Sequence, residues 1–281
     1  MDRVVHITVL AENSVGRRGL LAEHGLALWI EMDDRHLLFD TGQGAVLMHN
    51  AEQLDAHLER ADAVVLSHGH YDHAGGLEHV LPVAPRAGVY AHPAAFDQKY
   101  LRYDDGTSRD IGVPPSSQRA LHGHAGSLIQ TEQPTEILPG LFVTGAIPRR
   151  TSYEDTGGPF FSDAECQVAD PLLDDQALFF ASRRGTVVLL GCAHAGVVNT
   201  LYHIREVTDG RPFHAVMGGM HLVRATRDRM ARTIAALREL GVERLGPAHC
   251  TGWAATAELW NAFPEQCFPC TVGTKLGFEA E

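Results

Sequence analysis

Four side chains able to bind a metal ion fall within six residues, His68-Gly69-His70-Tyr71-Asp72-His73, directly behind the apolar run Ala63-Val64-Val65-Leu66. A short continuous apolar run reads as a buried strand, so the histidines stand at a strand's C-terminal end. Gly69 leaves the backbone free to curl, which lets alternate side chains converge. His68 and His70 can then share one ion, while Asp72 and His73 are placed to face a second, neighbouring one. The Gly75-Gly76 turn that follows supplies a context that a bare surface cluster of histidines lacks. Whatever fold the chain adopts must deliver this loop from a buried strand.

The remaining chain punctuates itself around that loop. Val4 to Leu10, Leu26 to Met32 and His36 to Asp40 read as strands, and Ala51 to Arg60 has helical composition. After the motif, Gly75 to Val80 suits a loop entering a short helix, and Gly88 to His92 suits a strand. From about Tyr100 to Asp170 the pattern weakens, with Asp104-Asp105-Gly106, Pro114-Pro115 and Gly157-Gly158-Pro159 marking irregular backbone, and only Gly140 to Thr144 resembling a strand. A loop-rich stretch of that length is expected to act as a cap that shapes a substrate pocket. Strands are expected again at Gln176 to Ala181, Thr186 to Leu190 and His214 to Met217, and helices at Val197 to Val207 and Arg224 to Leu240. The last carries Met230, Ile234, Leu237 and Leu240 on one stripe. Two sheet-forming halves, each followed by helices, predict one layered α/β sandwich domain over residues 1–281, with the cap at about 100–170.

Bulk properties narrow the function. A net charge of -12 argues against a surface that tracks nucleic-acid phosphates, which needs clustered Lys and Arg. No run approaches the roughly 18 apolar residues of a membrane span, and Met1-Asp2-Arg3-Val4 enters an apolar segment without a leader pattern, so a cytoplasmic protein is expected. Five cysteines, an odd and scattered set, read as reduced thiols. Cys267-Phe268-Pro269-Cys270 has no second pair to complete a zinc ribbon, and His122 and His124 lack a strand behind them. A small-molecule substrate is the expected partner, and a homo-oligomer stays open.

The segment His68 to His73 resembles the HxHxDH signature of the metallo-β-lactamase-fold superfamily, an αββα sandwich of metal-dependent hydrolases and some oxidoreductases. That resemblance implies further ligands at the ends of later strands, where this sequence offers Asp175, His194, His221 and His249. His194 leaves the strand Val187 to Leu190 between small residues that permit close approach to a metal. His249 follows the amphipathic helix, where superfamily members carry their last histidine ligand. Asp175 stands where many relatives have a histidine and His194 near where many have a bridging aspartate, so Asp175 is expected either to bind a metal or to orient a histidine. His221 is expected to face substrate as a general acid or hydrogen-bond donor. Asp40, in Leu38-Phe39-Asp40-Thr41-Gly42, is expected beside the metals without binding them.

Longer phrases, among them Gly191 to Gly196 with Asn199, Gly218 to Leu222 and His249 to Gly252, with Glu12-Asn13 and His24-Gly25, are similar to one branch of the superfamily. It is the group of 7,8-dihydropterin-6-methyl-4-(β-D-ribofuranosyl)aminobenzene-5′-phosphate synthase-like proteins. The resemblance implies two divalent ions, zinc with iron or manganese as alternatives, and hydrolysis of a small ester, lactone, amide or phosphoester, with pterin-related chemistry as one branch. In that reading the ions generate hydroxide near neutral pH and Asp72 holds the nucleophile in line. An iron-dependent oxidoreductase or dioxygenase, and a catalytically silent ligand-binding protein, are the alternatives.

Overall fold

Leu37 and Phe39 turn to one side of their strand and Leu38 to the other, and all three are fully buried. Val187 and Leu189 against Val188 and Leu190 repeat the arrangement in the second half. Strands that are apolar on both faces must be covered on both faces, which requires layers outside as well as between the sheets. The computed structural model, which describes residues 3–281, has that layering. Met1 and Asp2, the start of the N-terminal segment read above, lie outside the described residues.

The first large sheet holds β1 (Val4–Ala11), β2 (Ala27–Met32), β3 (Arg35–Phe39), β4 (Ala63–Val65), β5 (Gly88–Ala91), β8 (Leu128–Gln130) and β16 (Lys275–Glu279), in the order β16-β1-β2-β3-β4-β5-β8. The second holds β9 (Thr135–Leu138), β10 (Leu141–Val143), β12 (Ala177–Ser182), β13 (Gly185–Leu190), β14 (Phe213–Gly219) and β15 (Arg244–Ala248), in the order β15-β14-β13-β12-β10-β9. Between the sheets Ile7, Ile30, Leu37 and Phe39 meet Leu178, Phe180, Val187 and Met217. On one outer face α1 (Leu47–Gln53) and α3 (Leu77–Val83) cover Leu38, Val64 and Leu66. On the other, α5 (Val197–Val207), α6 (Arg227–Glu239) and α7 (Trp253–Ala262) cover Val188, Leu190 and Val216. This is the αββα sandwich expected from sequence.

The stretch from 100 to 170 differs from the expected loop-rich cap. It contains α4 (Pro115–His122) and six strands, of which β8 pairs with β5 in the first sheet and β9 and β10 extend the second. Only β6 (Tyr100–Arg102), β7 (Ser108–Asp110) and β11 (Phe160–Phe161) form a separate three-stranded sheet. These strands are two to four residues long, too short to establish a period of two in the sequence. The helix expected over 51–60 is α1 followed by a single 3-10 turn, Leu58–Arg60, because Asp55 takes a left-handed φ of 58° and breaks the helical path. Helix α6 starts at Arg227 because the Thr226 side chain accepts the Arg229 amide, an N-cap that fixes the first turn.

Topology decides where the site lies. Strands β3, β4 and β5 run parallel, as do β13, β14 and β15, so their C-terminal ends form one edge of the sandwich. Strand β1 lies antiparallel to β2 and β2 antiparallel to β3, so β1 also ends at that edge and β2 begins there. Strand β12 runs antiparallel to β13 and begins there too. Crevices at the carboxyl ends of strands are where open α/β sheets bind ligands.

Candidate metal centre

Every sequence-predicted site residue except those of the motif reaches the edge from a different strand. The loop after β4 carries His68, His70, Asp72 and His73, with α2 (Tyr71–Ala74) opening inside the motif. Asp40 follows β3, Asp175 precedes β12, His194 follows β13, His221 follows β14 and His249 follows β15. Gly69 is required by close approach: a Cβ there would lie 1.7 Å from the Ala95 carbonyl oxygen. Asp40, His221 and His249 adopt left-handed φ of 59°, 44° and 49°, a conformation that costs non-glycine residues about 1–3 kcal/mol and tends to persist where a site imposes it.

Hydrogen bonds fix the tautomers. The Ser67 hydroxyl donates to Asp40 Oδ2 at 2.7 Å, so it accepts from His68 Nδ1–H at 2.9 Å, and His68 Nε2 keeps its lone pair. His73 Nδ1–H donates to Asp40 Oδ2 at 2.6 Å, His194 Nδ1–H to the Thr156 carbonyl at 2.8 Å, and His249 Nδ1–H to Asn13 Oδ1 at 2.8 Å. His68, His194 and His249 therefore present an Nε2 lone pair inward, the arrangement by which outer partners prepare histidines for a metal. Burial opposes a charge on His73, but Asp40 and Asp72 outweigh it and lift the ring to about 9, so its Nε2 gives up a proton when a cation binds. Asp40 positions two rings, His73 directly and His68 through Ser67, without facing the centre itself.

The inward atoms converge. His68 Nε2 and His70 Nδ1 stand 2.9 Å apart, and His73 Nε2 lies 3.1 Å from His249 Nε2 and 3.2 Å from Cys192 Sγ. Asp72 Oδ2 lies 3.4 Å from His249 Nε2 and 3.8 Å from His73 Nε2. Four sets of three side chains have donor atoms within 4.8 Å of one another among the described residues: His68, Cys192, His194; His73, Cys192, His249; Cys192, His221, Cys250; and His24, Asp72, His249. Burial holds His68, His70 and His194 well below the usual imidazole range, so they are neutral, and His70 Nε2 and His194 Nε2 are buried without a partner. Burial opposes ionisation of Asp72, but the neighbouring His73 and the hydrogen bond from His24 outweigh it and hold the carboxyl well below its usual range. Buried lone pairs with no donor to meet them, beside a buried carboxylate, fit cations.

Asp175 stands outside all four sets. Its Oδ2 accepts the Ala195 amide at 2.8 Å, shaping the turn that presents His194, while Oδ1 is buried without a partner and burial lifts the carboxyl to about 7. Its geometry is that of a group orienting a histidine-bearing loop. His221 lines the cavity, its ring 4.2 Å from that of His194.

Sequence reading did not single out Cys192, Cys250, Glu12, Asn13 or His24 as site residues. Glu12 accepts the His249 amide at 2.7 Å, and Asn13 Oδ1 accepts from both Gly25 and His249. That orientation turns the Asn13 amide group to His24 Nδ1, so His24 Nε2 carries the proton and donates to Asp72 Oδ2 at 3.2 Å. Only the return of β1 and the start of β2 to the shared edge bring these residues in. Cys192 had a local signal, a thiol two residues past the buried strand β13 and two before His194.

Above the centre opens a cavity of about 670 Å³. Phe160, Trp253 and Trp260 line it with Tyr103, and Arg109 and Arg224 add positive charge. Trp253 is 80% exposed, an aromatic face presented to the cavity rather than to the core.

The family model for the metallo-beta-lactamase superfamily matches residues 21–249. This chain belongs to that superfamily. Among its members, the crystal structure of a metal-dependent hydrolase of the beta-lactamase superfamily superposes with a TM-score of 0.80 at 32% identity, covering 97% of this chain and 98% of the other. The 7,8-dihydropterin-6-methyl-4-(beta-D-ribofuranosyl)-aminobenzene-5'-phosphate synthase of Methanocaldococcus jannaschii is 27% identical over 93% of this chain and 92% of its own length. A diphosphatase of the PhnP family shares the fold at 16% identity and a TM-score of 0.56, with 100% and 99% covered. Among the described residues no helix is long and apolar enough to cross a membrane.

Proposed function

We propose that this superfamily member is a hydrolase that holds two divalent cations and cleaves an ester, lactone, amide or phosphoester bond in a small molecule with an aromatic, pterin-like part. The observation that carries the reading is the convergence of His70, His194, His249 and Asp72 on the floor of one cavity with the fully buried His68 and His73 against them. His68, His70 and His194 would hold one ion, and Asp72, His73 and His249 the other. Imidazole, carboxylate and thiol donors together favour zinc. When bound, such ions acidify water and polarise a carbonyl or phosphoryl oxygen.

The chain's own groups would do the rest. Asp72, held ionised and hydrogen-bonded by His24, would orient the attacking water. His221, at the cavity wall, donates to the departing oxygen. Phe160 and Trp253 offer faces for a planar ring, and Arg109 and Arg224 suit a carboxylate or phosphate. The relative from Methanocaldococcus jannaschii, a synthase, favours a second reading in which the same cavity joins a pterin to an aminobenzene compound.

The test is elemental analysis of protein purified without added metal, then a screen of ester, lactone, phosphoester and pterin substrates with a chelated control. Turnover that disappears on chelation and returns with zinc is expected. Absence of bound metal after reconstitution would refute the reading, and a coupled product in place of a hydrolysed one would favour the synthase.

A further inference from the structure

Three of the four donor sets share Cys192, and two of them are built otherwise from histidines of the two proposed cation sites. Cys192 Sγ lies within 4.8 Å of the donor nitrogens of His68 and His194 and also within 4.8 Å of those of His73 and His249. The thiol is 3% exposed and stands 3.2 Å from His73 Nε2. Its position is built into the fold. Gly191 at the end of β13 carries no Cβ, and a Cβ there would lie 2.0 Å from Ser67 Oγ, so the turn that bears Cys192 can press against the turn that opens the histidine motif.

The other donors cannot take that central place. A neutral imidazole offers one lone pair and serves one cation. Asp72 belongs to the set with His24 and His249 and is absent from the set with His68 and His194. Asp175 has one oxygen committed to the Ala195 amide and belongs to neither. A thiolate carries several lone pairs and can bind two cations at once.

Resting on the two-cation reading above, we propose that the Cys192 thiolate bridges the two metal ions, one held with His68 and His194 and the other with His73 and His249. The thiol gives up one proton to solvent as the ions bind, and no electron changes hands. With Asp72 it places two negative charges against the four positive charges of the ions, and its sulfur favours softer cations over magnesium or calcium.

Cobalt(II) reports the assignment without recourse to activity, because a thiolate bound to cobalt gives an intense near-ultraviolet charge-transfer band. Metal-free protein should take up two cobalt ions per chain and develop that band. Cys192→Ser should abolish the band and weaken uptake of at least one ion about tenfold or more. Cys192→Asp, whose carboxylate can also bridge, should restore two ions without the band, and thermal melts of the metal-free variants establish that they fold. Cys250→Ser should keep both ions and the band. Two cobalt ions without a band in the parent protein, or an unchanged band in Cys192→Ser, would overturn the bridge while leaving the two-cation reading intact. A band lost only in Cys250→Ser would assign the sulfur ligand to the set of Cys192, His221 and Cys250 and overturn the bridge as well. No cobalt or zinc uptake by the parent would remove both readings together.

Discussion

Lys99 is a buried cation whose loss should be felt at the metal loop. Its Nζ lies 3.0 Å from Asp174 Oδ1 and 3.2 Å from Asp170 Oδ2, and its side chain is 2% exposed. Burial opposes the ammonium charge, but Asp174 and Asp170 outweigh it and hold Lys99 above its usual range. Asp174 Oδ2 in turn accepts the Gly69 amide at 2.8 Å. Because Lys99 immediately precedes β6 and Asp170 follows β11, the cluster ties both ends of the small sheet to the histidine motif. Lys99→Met keeps the length of the stem and removes only the charge. It leaves a fully buried carboxylate facing a second one, a situation that costs about 3–5 kcal/mol. The Gly69 bond survives and retains part of the stabilisation of Asp174, which argues for the lower end, about 3 kcal/mol. In a chain of this size that corresponds to a fall in Tm of roughly 6–12 °C. Thermal and urea unfolding of metal-free protein would measure it, with Lys99→Met/Asp174→Asn completing a double-mutant cycle. The double variant should cost less than the sum of the singles by at least about 1 kcal/mol. A single variant within about 1 kcal/mol of the parent, or strict additivity, would refute the account of a coupled buried pair.

His221→Gln should reduce turnover on the order of 10²–10⁴-fold while leaving metal content unchanged, as measured by steady-state kinetics with elemental analysis; loss of metal along with activity would make His221 a ligand. On the far side of the sheet, His214 is 7% exposed and donates Nδ1–H to the Ser182 hydroxyl, which itself donates to Gly185, and burial depresses its pKa. The unfolded chain then binds the proton first, so this contribution to stability is present above about pH 6.5 and is lost as pH falls below it. His214→Gln should flatten the stability profile between pH 7 and 5, and an unchanged slope in urea titrations would count against the assignment.

The difference between what was legible in this chain and what was not follows from sequence separation and element length. The motif from His68 to His73 could be read because its donors are local and its strand is a continuous apolar run. His194 and His249 could be placed because each leaves a buried strand. Glu12, Asn13 and His24 could not, since their approach depends on β1 and β2 lying antiparallel in the sheet, which no local pattern encodes. The small strands between 100 and 170 were illegible for a different reason: three residues such as Ser108–Asp110, all exposed, carry no alternation.

What the sequence left open, even where it placed Asp40 beside the centre, is which groups fix the protons. Asp40, Ser67, Asn13 and the Thr156 carbonyl decide which nitrogen of His68, His73, His249 and His194 is left for a cation, and Asn13 also decides that His24 donates to Asp72. A ligand list could therefore be correct in every name and still leave the chemistry open, because a ring with its proton on the inward nitrogen must shift or lose that proton before it binds a cation. The tautomers are imposed from the ends of β1, β3 and β4 on one sheet and from Thr156, between β10 and β11, on the His194 loop of the other, so both halves of the sandwich must close before the centre acquires its lone pairs. Metal affinity in this fold is then a property of the closed sandwich, and the motif segment excised as a peptide would keep its histidines but lose the partners that orient them.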